Sequence, residues 1–462
     1  MLREFFKFEL DFQLRQPLLW VCALIFGALA FGATTTDAIQ VGGSIGNVNR
    51  NAPTVVAQLL GVFSLISMFV VTIFIAGSVL RDAEVGISDM LFATPMKKRD
   101  YLVGRFFAGL VACLFIFALI VLGTMLGPLM PWIDPQRVGP FPGAAYLWAL
   151  GVIVIPNLFF IGALLMLLAA TTRSIMMVYV GVMGFFVLWI VAGSFTSNID
   201  NEWIAVLADP FGLRALGRAT RYFSTAESNA GLPGIGGYML ANRALWSGVA
   251  LVLLGLTLAL FKPQRAGTGK RLFGKAKAAA PATTTPVQVA LPRIEPRFTT
   301  ATRWIQCWHI LAFDAVSVFR SVPFLVMLLF GMLNMVGSSS QLDQMFGTNV
   351  YPRTHLMIEL LSGSFNFFLI IIVTFYAGEL IFRERQARIA DVSDAMPMPN
   401  WAPLVAKSLA LVGVVLAFLF AGILTAIAIQ LYRGGAPVEF GVYVQGVFMA
   451  GLPYVLMALI AI

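Results

Sequence analysis

The 462 residues are 59% hydrophobic and 11% charged, with a mean hydropathy of +0.87 and a formal net charge of +9. A soluble domain is about 25% charged, so this composition excludes a water-soluble globular protein and indicates an integral membrane protein. Cys22, Cys113 and Cys307 show no spacing of a disulfide framework or a metal site.

The chain opens on an amphipathic segment, Met1–Gln16. Leu2, Phe6, Leu10 and Leu14 recur at every fourth position, and Lys7, Asp11 and Arg15 line another face. This predicts a helix lying on the membrane surface. Its three acidic residues argue against a cleaved signal, whose leading segment is short and basic. Ten apolar runs follow, near 17–33, 55–80, 106–130, 146–170, 175–195, 244–261, 323–338, 356–381, 403–431 and 441–462. Each is long enough for a transmembrane helix, and a lipid-exposed backbone must satisfy its own hydrogen bonds.

Between the second and third runs lies "VLRDAEVGISDMLFATPMKKRDYLVGR" (79–105), with nine charged side chains. It has a twin. At an offset of 302, Arg81/Arg383, Ile87/Ile389, Asp89/Asp391, Ala93/Ala395, Pro95/Pro397 and Met96/Met398 are identical, and Asp82/Glu384 and Arg105/Lys407 are similar. The surface helix also has a counterpart, "WHILAFDAVSVFRSVP" (308–323). Two copies of one module are therefore expected. The first, 1–262, has six spans. A basic Ala/Pro/Thr-rich linker, 263–300, reads as flexible. The second, 301–462, has four spans and is expected to continue past residue 462. The fold class is an all-α polytopic membrane protein with two homologous six-helix modules, the second truncated.

With the N-terminus inside, 23 of the 31 Lys and Arg residues fall in inside segments. This is the asymmetry that sets orientation. The net charge then needs no nucleic acid, because basic residues face an anionic inner leaflet. Within each loop a short helix is expected, stopped at Pro95 or Pro397. Charges beside Met90, Leu91 and Phe92 make a surface suited to docking another protein, and the repeat calls for two partner subunits in pseudo-symmetry.

Smaller signals are weaker. "GTGK" (267–270) lacks the Gly and Ser/Thr of a phosphate loop, so ATP would be handled by another chain. Arg214, Arg218 and Arg221 share a helical face in the long outer loop, a solvated face or a contact with lipid headgroups or an anionic substrate. Glu379 precedes Arg383 by four residues, the spacing of an ion pair, while Glu359 stays open. Pro156 and Pro453 kink spans at related places. Buried charges are nearly absent within the spans, so an apolar pathway is expected.

The amphipathic helix, the six spans and the "RDxExGxxDxLxxxPxxxxxYLxGR" segment resemble the ABC-2-type permeases of ABC exporters. The resemblance implies that the loop is a coupling helix seated in an ATP-binding subunit. That role would fall on Arg81, Asp82, Glu84, Asp89, Met90, Leu91, Pro95 and Met96, and on Arg383, Glu384, Asp391, Pro397 and Met398 in the second copy. The second copy departs from the pattern, with Arg388 for Gly86 and Pro399-Asn400-Trp401 for Lys97-Lys98-Arg99. "DPFGLRALGRATRYFSTAESN" (209–229) with "NRALW" (242–246) is similar to the bacterial subgroup whose two permease modules are fused to a C-terminal zinc aminopeptidase domain. His309 and His355 are the chain's two histidines and no H-E-x-x-H is present, so these residues hold no such zinc site.

The resemblance implies a permease of the bacterial cytoplasmic membrane with no catalytic residue, metal or cofactor of its own. ATP and Mg would belong to two cytoplasmic ABC ATPase subunits, and membrane lipid is the other partner. The exported substrate is unknown. The rivals are a membrane anchor for a C-terminal peptidase and an ion-coupled secondary transporter.

Overall fold

The computed structural model describes residues 1–36, 47–85, 87–94, 96–196, 202–261, 299–340, 351–386, 389–396, 398–434 and 437–462. Pro95, Pro397 and linker residues 263–298 lie outside the described residues, as do the side chains of Glu84 and Asp89. Among the described residues every regular element is a helix. Nine of these helices are long and apolar enough to cross a membrane. The chain is an all-α, multi-pass membrane protein.

The nine coincide with nine of the ten predicted runs. The remaining run is broken: Pro53–Ile66 and Met68–Asp82 are bent by 42° at Ser67. The cause is local. Ser64 donates its hydroxyl to the Gly61 carbonyl at 2.7 Å, and Ser67 donates to the Ser64 carbonyl at 2.5 Å. Hydroxyls that bond back to carbonyls compete with the helical ladder and bend it. A π-turn follows at Thr72–Ala76. The fourth span, Gly143–Thr172, carries another at Leu150–Val154, just ahead of Pro156. Proline lacks an N–H and crowds the preceding turn, and the wider turn accommodates it.

The chain forms two compact units, Met1–Val182 with Thr196–Ala276, and Met183–Phe195 with Lys277–Ile462. In the first, the third span (Lys98–Leu129), the fourth and the bent second span are largely buried. The first span (Pro17–Thr35) crosses the third where Gly123 meets the Gly27 carbonyl, so closely that a Cβ on residue 123 has no room. Small residues at such crossings let membrane helices approach, because apolar side chains gain little by leaving lipid. The second unit is centred on Phe418, whose ring lies 4.9 Å from Phe365, 6.3 Å from Phe368 and 6.4 Å from Phe324.

This crossing predicts that Gly123→Leu destabilises the protein by about 1–3 kcal/mol, the usual cost of overpacking. Gly32→Leu, on the same first span with nothing within 4 Å of the added carbon, should leave stability unchanged. Unfolding of the two purified variants in detergent compares them.

Candidate functional site

The charged loop of the first unit is held by the surface helix, Leu2–Arg15. Glu9 is 0% exposed, and its carboxylate takes Arg81 at 2.6 Å and Arg105 at 3.6 Å. Gln13 donates to Glu9 at 2.9 Å and to the Phe74 carbonyl inside the π-turn at 3.0 Å. Arg81, at the end of the broken second span, also lies over the Phe12 ring at 4.0 Å. Arg105, two turns into the third span, pairs with Asp82 at 2.7 Å and donates to the Ser78 carbonyl. Tyr101 donates its hydroxyl to Asp82 at 3.0 Å. Two acids and two arginines thus close on each other across three helices. A buried charge without such partners would cost several kcal/mol.

The loop itself contains a short helix, Ser88–Ala93, ended by Thr94, whose hydroxyl donates to the Leu91 carbonyl at 2.6 Å. Phe92 seats it. That ring lies 5.3 Å from Tyr101 and 5.8 Å from Phe261, and Phe5 meets Tyr101 at 5.8 Å. Met90 is 75% exposed, while Leu91 and Met96 are half-buried. Aromatic contact therefore joins the loop to the spans, and an apolar tip is left outward.

The second unit repeats this chemistry with other residues. Its surface helix, Thr300–Phe319, buries Asp314, which pairs with Arg383 at 2.6 Å. Arg383 lies over the Phe313 ring at 4.8 Å. Lys407 pairs with Glu384 at 3.0 Å. Burial pushes the Asp314 carboxyl above its usual range, and Arg383 and Lys407 pull it back. The loop helix is Ala390–Asp394, with Asp391 exposed. Among the described residues it has no aromatic seat. Met398 instead packs with Cys307, Ala402 and Ala406.

The backbones of the two loops correspond. Ile87 donates to the Asp82 carbonyl, and Ile389 to that of Glu384, both at 3.0 Å. Thr94 donates to Leu91, and Met396 to Ser393, both at 3.2 Å. Met96 donates to Thr94, and Met398 to Met396, both at 2.7 Å.

Three sequence readings change. Arg383 pairs with Asp314 across helices, not with Glu379 along its own, and Glu379 keeps Oε2 buried without a hydrogen-bond partner. Arg214, Arg218 and Arg221 do not line one helical face, because the helix Leu213–Ala219 ends before Arg221. Arg218 and Arg221 converge on Glu202, and the Arg214 N–H donates to Asp209 at 2.8 Å. Buried charges do occur within the spans, at Arg105, Arg243 and Lys407, each within about two turns of a helix end.

At the far end of the first unit, sequence reasoning missed a buried polar network. Asn157 donates to Ser64 at 2.8 Å and to the Phe211 carbonyl at 3.1 Å. Arg243 donates to Asn157 at 2.7 Å and to the Pro210 carbonyl at 3.1 Å. Asn242 donates to the Val206 and Asp209 carbonyls at 2.6 and 2.7 Å. Gly212, with φ +70, lets the chain turn against the Arg243 guanidinium. So "DPFG" and "NR" meet, and they clamp the segment 206–212 to the bend in the second span. The signal was present as an asparagine inside the fourth apolar run and an arginine at the edge of the sixth.

Removing Arg105 leaves Asp82 without its guanidinium. Arg105→Met should lower stability by about 3 kcal/mol or more, whereas Lys97→Met, an exposed site on the same loop, should change it by under about 0.5 kcal/mol. Detergent titration monitored by circular dichroism separates these values. Among the described residues no cluster of His, Cys, Asp and Glu suits a metal ion. Comparison of the chain with family models, with curated proteins and with solved structures gave no match in any of the three.

Proposed function

We propose that the chain is the membrane subunit of an ATP-driven exporter of the ABC-2 type, with two copies of one module. The observation that carries this reading is the pair of loops, alike in sequence, in backbone hydrogen bonds and in the acid–arginine clamp beneath them. A loop that merely fixes orientation needs basic charge but no particular backbone. A docking element needs a held shape, an outward apolar tip and a stiff connection to the spans. Met90 supplies the tip, and Phe92, Arg81 and Arg105 supply the connection.

Under this reading the loops face the cytoplasm, with the N-terminus on the same side, in a bacterial inner membrane. Two ABC ATPase subunits bind them and carry ATP and Mg. Arg81, Asp82, Arg383 and Glu384 hold the loops in place. Glu84, Asp89, Met90 and Asp391 meet the partner. Pressure on a loop would reach the second span through Arg81 and the third through Tyr101 and Arg105, rocking the module as a unit.

An ion-coupled secondary transporter is the second reading, and Glu379 favours it, since a buried carboxylate oxygen within a span is a candidate ion or proton site.

Mild-detergent purification of the full-length protein with mass spectrometry tests the proposal. An ABC ATPase subunit should accompany the wild type and be lost from an Asp89→Arg, Asp391→Arg variant of normal fold. No ATPase in either sample would remove the exporter reading.

A further inference from the structure

We propose that the surface helix of the second unit is a releasable latch, its second half held by the ion pair Asp314–Arg383, whereas the surface helix of the first unit is locked. The two buried carboxylates are held unequally. Both oxygens of Glu9 are used. Oε1 accepts from Gln13 at 2.9 Å and from Arg81 at 3.2 Å, and Oε2 accepts from Arg81 at 2.6 Å. Arg105 adds a second guanidinium at 3.6 Å. Asp314 is also buried, and its Oδ1 accepts from Arg383 at 2.6 Å. Its Oδ2 is buried with no hydrogen-bond partner among the described residues.

The residues around each acid account for the difference. Gln13 stands four positions after Glu9. Four positions after Asp314 stands Val318, buried and with no side-chain donor. Gln13 also bonds the Phe74 carbonyl in the π-turn, whereas the eighth span, Thr354–Gln386, is one α-helix without such a turn. At the offset of 302, Arg105 is replaced by Lys407, whose ammonium goes to Glu384 at 3.0 Å. Tyr101, which bonds Asp82, is replaced by Pro403, and Phe92 by Asp394. Burial pushes the Asp314 carboxyl up although Arg383 and Lys407 face it, as happens to an ion short of partners.

The two halves of the second surface helix are held differently. The first half packs through apolar side chains: Cys307 lies against Ala402 and Ala406, and the Trp304 ring lies 5.1 Å from Trp401. The second half is held by Arg383, which pairs with Asp314 and covers the Phe313 ring at 4.8 Å. Arg383 belongs to the last turn of the eighth span, beside the loop. A loop movement that draws it away strands a buried carboxylate, and the second half leaves its site. The same movement of Arg81 leaves Glu9 with Arg105 and Gln13. Loop movement thus undocks the helix in the second unit and carries it along in the first.

Hydrogen exchange of the full-length protein in detergent reads the latch without any ATPase. Arg383→Met should speed exchange of residues 312–319 at least about tenfold, the effect of stranding a buried ion, and leave residues 304–311 unchanged. Asp314→Asn removes the charge that Arg383 answers. It should leave residues 312–319 unchanged, and in the double variant it should cancel the effect of Arg383→Met. Glu9→Gln takes the charge from a site built around two guanidinia, and should speed exchange of Leu2–Arg15 about tenfold. Unchanged exchange in Arg383→Met overturns the proposal. So does a double variant as fast as Arg383→Met, or an Asp314→Asn variant that loses as much protection as Glu9→Gln. If Arg383→Met fails to fold, the contrast between Asp314→Asn and Glu9→Gln decides alone.

Discussion

A carboxylate buried on a surface helix governs the charged end of each unit. Glu9 and Asp314 sit on helices whose other residues suit the membrane interface, yet both are removed from water. Such an ion costs several kcal/mol unless a guanidinium meets it. Arg81 and Arg383 do so, from the last turns of the spans that lead into the loops. The surface helix is therefore fixed by one side chain to the span whose end carries the loop. In the first unit Arg105 reaches the same carboxylate from the third span. Three helices are tied at one point.

The tie sits beside weak places. The second span is bent at Ser67 and has a π-turn at Thr72–Ala76. Each is held from outside. Gln13 bonds the Phe74 carbonyl within the π-turn, and Asn157 bonds Ser64 beside the bend. Helix irregularities of this kind often mark functional sites. Here they place the second span's soft points under the control of the surface helix at one end and of the Arg243 network at the other. A push on the loop would thus be spread over a helix able to change shape, anchored at both ends.

Much of this was legible in the sequence. Apolar runs read as helices because length and hydropathy alone decide what can span a bilayer. The two loops were legible as charged segments of similar sequence, with Arg81, Asp82 and Arg105 at the positions that match Arg383, Glu384 and Lys407. Glu9 was not, because on a helical wheel an acid near the apolar face is easily read as one more surface charge. Only the third dimension brings Arg81 to it. The Ser67 bend was hidden because serine is common in spans and bends them only when its hydroxyl turns back to a carbonyl. Glu379 was misread because spacing along one helix says nothing of Asp314, which approaches from another. The Arg243 network joins residues from 64 to 243, so no local pattern contains it.

The central claim is that Glu9 ties the surface helix to the loop-bearing span. Hydrogen exchange across Leu2–Arg15 tests it most directly, using Glu9→Arg, Arg81→Glu and the combined swap in the full-length protein. The account predicts that each single change exposes the whole helix to exchange and that the swap restores protection. Protection that survives both single changes would contradict it.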